Sequence, residues 1–117
     1  MSPKEFAGGL YAAIVDENIV IYRDLFINTE ISEVTDPYWT NALPLFKSLS
    51  VEQQKVFFSI IKQIIVDTTS NVLGVIDGVN AFNDENFLIY RSGSSKPLSG
   101  DLQGLFLLEE DTRSKEG

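Results

Sequence analysis

Neither histidine nor cysteine occurs among the 117 residues. Imidazole and thiolate are the groups most often used for proton transfer near neutral pH, for nucleophilic attack and for transition-metal ligation, so their absence excludes most familiar catalytic and metal centres. Disulfides and cysteine zinc sites are excluded with them, which fits a reducing cytosol and points to a cytoplasmic protein. Basic residues are scarce too, nine against seventeen acids, and they are scattered rather than clustered. A net charge of −8 repels phosphate backbones, so nucleic acid is not an expected partner. Long apolar runs are also missing. The most apolar stretch, residues 56–66, contains Ser59, Lys62 and Gln63 and then meets Asp67. That is well short of the roughly 20 apolar residues a bilayer needs, and no membrane is expected as a partner. Met1-Ser2-Pro3-Lys4-Glu5 reaches an acid before any apolar run, unlike a secretory leader or transit peptide.

What is present suits one helical core. A hydrophobic content of 44% with eight phenylalanines belongs to a chain that folds, and 117 residues suffice for a single domain over 1–117. Ser2-Pro3-Lys4-Glu5 is a capping box with proline in the tolerated first position, so a helix is predicted from Pro3. Its apolar stripe runs through Phe6, Leu10, Ala13 and Ile14, with Gly8-Gly9 either weakening it or allowing close packing. Residues 19–27 suit a strand by propensity and a helix by spacing; helix is preferred, because an isolated strand would have no neighbour. Asp36-Pro37 predicts a short third segment to about Lys47, kinked or ended early by Pro44. Ser50-Val51-Glu52-Gln53 opens the strongest element. Phe57, Ile61, Ile64, Ile65, Thr68, Val72, Val75, Ile76 and Val79 recur at steps of three and four, and Val56, Phe58, Ile60 and Val66 add apolar surface outside that stripe. A helix apolar nearly all round is expected to be covered on several sides, and to close at Asp77-Gly78. Residues 87–98 read as a short β-hairpin turning at Ser92-Gly93-Ser94-Ser95, with Pro97 confining the return strand to an edge. Ser99 or Asp101 then caps a last helix through Leu102, Leu105, Phe106 and Glu109, and 110–117 reads as a frayed tail. The predicted fold class is mainly α: a small bundle around a long central helix, with a hairpin before the C-terminal helix.

Motifs that carry chemistry are weak. Ser59-Ile60-Ile61-Lys62 has the Ser-x-x-Lys spacing of serine acyl-transfer enzymes but none of their partner motifs, so a helix-surface pair is the plainer reading. Ser92 to Lys96 lacks the Walker spacing of a phosphate loop. Asp16, Glu17 and Asp24 gather on one helix without the order of a calcium loop, and the acidic loop of 77–86, with Asp84 and Glu85, is interrupted by apolar residues. No cofactor and no metal is therefore expected. Leu10-Tyr11-x-Ala13-Ile14, Asp36-Pro37-Tyr38-Trp39 and Ser99-Gly100-Asp101-Leu102-Gln103 resemble runs in small bacterial proteins without pointing to a family.

The charge excess is spread, −4 over residues 1–50 (three bases, seven acids) and −3 over 81–117 (four and seven). Either it serves solubility or it forms an acidic face for a basic partner. The expected function is a small acidic, non-catalytic protein-binding domain of immunity, antitoxin or adaptor type in a bacterial cytosol. Its contact residues would be Asp16, Glu17, Asp24, Asp84 and Glu85 with the aromatics Tyr38 and Trp39. Self-association is left open. The rival is a ligand-binding domain or carboxylate enzyme whose pocket takes polar groups from Tyr11, Tyr22, Asp16, Asp67 or Arg91. A deep pocket with a buried, unpaired carboxylate would favour the rival.

Overall fold

A computed structural model describes residues 1–79 and 86–116, and the side chains of all of these except Glu116. Pro3 to Asn28 form one continuous helix in three parts: α1 (Pro3–Leu10), a π-helical turn (Tyr11–Asp16) and α2 (Glu17–Asn28). The capping box closes its start, with the Ser2 hydroxyl accepting from the Glu5 N–H at 3.1 Å and the Glu5 carboxylate accepting from the Ser2 N–H at 3.2 Å. The π turn has a packing reason. Ala7, Tyr11 and Val15 are all buried at steps of four, and in a regular α-helix each such step drifts by about 40° around the axis. A wider turn cancels the drift and keeps Tyr11 and Val15 on one face. Residues 19–27 are therefore helical.

After a single 3₁₀ turn (Ile31–Glu33), the Asp36 carboxylate accepts from the Tyr38 N–H at 2.8 Å and starts α3 (Pro37–Lys47). Pro44 does not end that helix. The Lys47 ammonium donates to the Ile27 carbonyl at 3.2 Å, placing a cation at the carbonyl end of α2. The second capping box, Ser50 with Gln53, opens α4 (Val51–Ile76). Gly78 closes it with φ +83°, a left-handed conformation, and the Val79 N–H returns to the Gly74 carbonyl at 2.9 Å.

The initial helix and α4, each 26 residues, lie antiparallel: Phe6 and Leu10 meet Leu73 and Ile76 at one end, and Tyr22 meets Ile61 and Ile65 at the other. Two separate cores flank this hairpin of helices. Near its N-terminal end Tyr11, Val15, Val66 and Leu73 enclose Leu102 and Phe106 of α5 (Leu102–Glu116). At the other end Phe26 and Phe58 enclose Leu43 and Phe46 of α3, with ring centroids 5.2 Å apart for Phe26 and Phe46. The molecule is accordingly long, 52 × 34 × 26 Å.

Four expectations are corrected. The β-hairpin does not form; among the described residues its only trace is one bridge between Tyr90 and Pro97. The Leu98 N–H bonds the Ile89 carbonyl at 2.6 Å, but the Ile89 N–H that would complete this pair is taken by the Ser99 hydroxyl, so the ladder does not extend. The cap of α5 comes from neither Ser99 nor Asp101. The Asp77 carboxylate, at the end of α4, accepts from the Gly100 and Gln103 N–H groups at 2.7 Å each. The tail is helical beyond 110: α5 runs to Glu116, and Glu110 and Arg113 are bonded to side chains of the initial helix.

The fourth correction concerns α4, which is not covered on several sides. Val56, Ile60, Ile64 and Val72 are exposed at 58, 54, 58 and 54%. By length and composition α4 also satisfies the requirement for a bilayer span that the shorter run 56–66 does not. It is, however, the element on which both cores are built.

A candidate binding groove between the long helices

α5 and α3 cover one side of the helical hairpin. On the other side a groove runs between the two long helices. From the initial helix Phe6, Leu10, Ile14, Asn18 and Tyr22 line it at steps of four, and from α4 Ile61, Ile64, Thr68, Val72 and Ile76 do so at steps of three or four. Near Phe6, Ile76 and Ile89 it widens into a hollow of about 350 Å³ whose only polar lining side chains among the described residues are Thr68 and Thr69. Thr69 turns its hydroxyl back to the Ile65 carbonyl at 2.8 Å, which leaves its methyl group to the surface. At the far end Tyr38, Tyr22 and Phe57 close the groove.

Helical spacing defines the shoulders of the groove. At about 100° per residue, Ile21 follows Ile14 on the outer edge of α2, and Glu17 and Asp24 lie just beyond it. On α4 the corresponding edge carries Ile60, Asn71 and Asp67. Glu17, Asp24 and Asp67 are all exposed; Asp24 accepts from the Asn28 amide at 2.7 Å and Asp67 from the Gln63 amide at 2.9 Å. Of the four cations on the two long helices, Lys4 is exposed in the first turn of the initial helix and the other three face away from the groove. Arg23 lies over the Phe58 ring at 4.7 Å, and Lys55 and Lys62 follow the opposite edge of α4.

The covered side is locked by a polar cluster. The Tyr11 hydroxyl donates to the Glu110 carboxylate, and Arg113 pairs with Asp16 and, at 3.2 Å, with Glu109. The Arg113 guanidinium also stacks 4.4 Å from the Tyr11 ring centre. Burial first, then the bond to Glu110 and its charge, push the Tyr11 hydroxyl well above the ordinary phenol range. Gly8 faces this cluster: a Cβ there would stand at an ordinary contact distance, 3.6 Å, from the Glu109 carboxylate.

The residues expected at the surface contact are divided by this geometry. Glu17 and Asp24 share the shoulder of the groove and the exposed Tyr38 stands at its end. Asp16 faces the other way, into the ion pair with Arg113. Trp39 packs inward against Phe26, with ring centroids 5.2 Å apart. Asp84 and Glu85 lie outside the described residues. The polar groups assigned to a rival pocket are dispersed as well: Tyr11 is buried and bonded, Tyr22 lines the groove, and Arg91 belongs to a separate hollow with Lys96 and the first three residues. Among the described residues no buried side-chain nitrogen or oxygen lacks a partner, and no three acids converge as a cation site.

The sequence reading missed Ile14, Ile64 and Val72 as surface residues. The four-residue repeat of Val56, Ile60, Ile64 and Thr68 was the available signal, since it lies on a second stripe beside the core stripe. The fold defines an all-α protein built on an antiparallel helical hairpin with one face left open by the described residues. Comparison with protein-family models, curated proteins and solved structures finds no match.

Proposed function

We propose that this chain is a non-catalytic protein-binding domain, of immunity, antitoxin or adaptor type, and that its contact surface is the groove between the two long helices. One observation carries the reading: an apolar strip through Ile14, Ile64 and Val72, interrupted by Asn18 and Thr68, lies open on a chain whose described buried polar side chains are all paired. Exposed apolar strips of this kind mark contact surfaces, because leaving them in water is costly and scattered single residues do not line up. The absence of cysteine supports a cytoplasmic setting. A second reading, an apolar small molecule, is favoured by the size of the hollow at Phe6 and Ile89, which falls within the range of ligand sites. Such sites also carry a few convergent polar groups that fix orientation, and among the described residues the polar side chains lining this hollow are two threonines.

The test is photocrosslinking in the cells that express the protein, with benzoylphenylalanine at Val72 or Ile64 and, as control, at Lys55 on the opposite edge of α4. Adducts with a protein are expected at the two groove positions and not at Lys55. Absence of any protein adduct at both groove positions would overturn the proposal and leave the small-molecule reading.

A further inference from the structure

Resting on that reading, we infer that the occupant of the groove is a single amphipathic helix of a partner protein, basic along its flanks. Three observations select it. The first is shape. Lining residues recur every four positions on one wall, Phe6 to Tyr22, and every three or four on the other, Ile61 to Ile76. A helix presents its own apolar residues at the same spacing, and 16 residues of wall span about 24 Å, the length of a helix of four to five turns. An extended strand would repeat every second residue and would need exposed backbone partners, which two helices do not offer.

The second is charge. Glu17 and Asp24 stand on one shoulder and Asp67 on the other, while Arg23 is stacked on Phe58 and Lys55 and Lys62 follow the far edge. The whole chain carries −8. A helix seated between these shoulders therefore meets carboxylates on both flanks, and Lys or Arg there is favoured in encounter and in register. The third is what the same charges disfavour. A second copy of this chain would bring Glu17, Asp24 and Asp67 against like charges, and an anionic lipid surface would meet the same repulsion.

The experiment uses the full chain and a displayed library of 18-residue helices. Apolar positions are held as Leu at helical spacing and flank positions mix Lys, Glu and Gln equally. Lys-rich flanks should be enriched, and the selected peptides should bind about tenfold more weakly when salt rises from low to well above physiological strength. The triple change Glu17→Lys, Asp24→Lys, Asp67→Lys should invert the preference towards Glu flanks. Ile64→Asp should abolish binding while leaving the thermal midpoint close to wild type, since Ile64 is exposed. Enrichment without a charge preference, or of acidic flanks, overturns the inference but leaves the crosslinking result and the proposed function standing. Absence of enrichment over the Ile64→Asp variant also overturns it, as does sedimentation showing a dimer that Ile64→Asp dissociates. Binding to anionic vesicles in preference to the peptides would do the same and assign the groove to a membrane surface.

Discussion

At the scale of single residues, Tyr11 has the most consequences. It is fully buried, its hydroxyl holds α5 through Glu110, and its ring receives the Arg113 guanidinium. Because its folded pKa is raised, the phenol stays protonated in the fold at a pH where the unfolded chain has begun to ionise. The stabilisation is therefore complete below the ordinary tyrosine value, about 10, and is lost as pH rises above it. Tyr11→Phe should cost about 1–2 kcal/mol at neutral pH through the lost charge-assisted bond. It should also flatten the fall of stability above pH ~10. Urea unfolding of both proteins between neutral and alkaline pH checks this, and parallel curves for the two would show that Tyr11 does not carry the alkaline loss. The apolar stripe read from the sequence, Phe6, Leu10, Ala13 and Ile14, did not single out Tyr11 or Val15, which are the buried residues. Nor was the hydroxyl partner of Tyr11, 99 residues away, legible there.

At the scale of elements, the local signals and the long-range ones part company. Ser2 with Glu5, Ser50 with Gln53 and Asp36 before Pro37 are caps whose partners lie within three residues, and all three form as the sequence implies. α5 follows a different rule, since its first N–H groups are bonded by a carboxylate from the end of α4. Asp77→Ala should leave the Gly100 and Gln103 N–H groups without that acceptor and cost about 1–2 kcal/mol. A lower urea midpoint with an unchanged slope is expected, together with loss of hydrogen-exchange protection in α5 before α4. Equal loss of protection in both helices would mean that Asp77 does not act on α5 in particular. The missing hairpin has the same origin. Residues 87–98 have strand composition, but the Ser99 hydroxyl occupies the Ile89 N–H that a second rung would need.

For the whole molecule, shape follows from the placement of two cores at opposite ends of one helical hairpin. A compact chain of this length would have a radius of gyration of about 13 Å, whereas two separated cores give 17.7 Å. Small-angle scattering at low concentration should return the larger value; a result near the smaller would mean that the two cores merge in solution. The sequence by itself determined the starts of α1, α3 and α4, the absence of imidazole and thiol groups, the acidic balance and the apolar periodicity of α4, because each depends on composition or on residues within a turn or two of one another. It could not tell which apolar stripe of α4 would be covered. Val72 and Leu73 are neighbours of similar character, yet Val72 is exposed and Leu73 is buried. Tertiary structure alone decided that difference: α5, anchored through Asp77, Glu110 and Arg113, lies on the side of Leu73, and no element of comparable length lies on the side of Val72 among the described residues. Burial is a property of where two distant segments meet, and periodicity encodes only that a helix has an apolar side to offer.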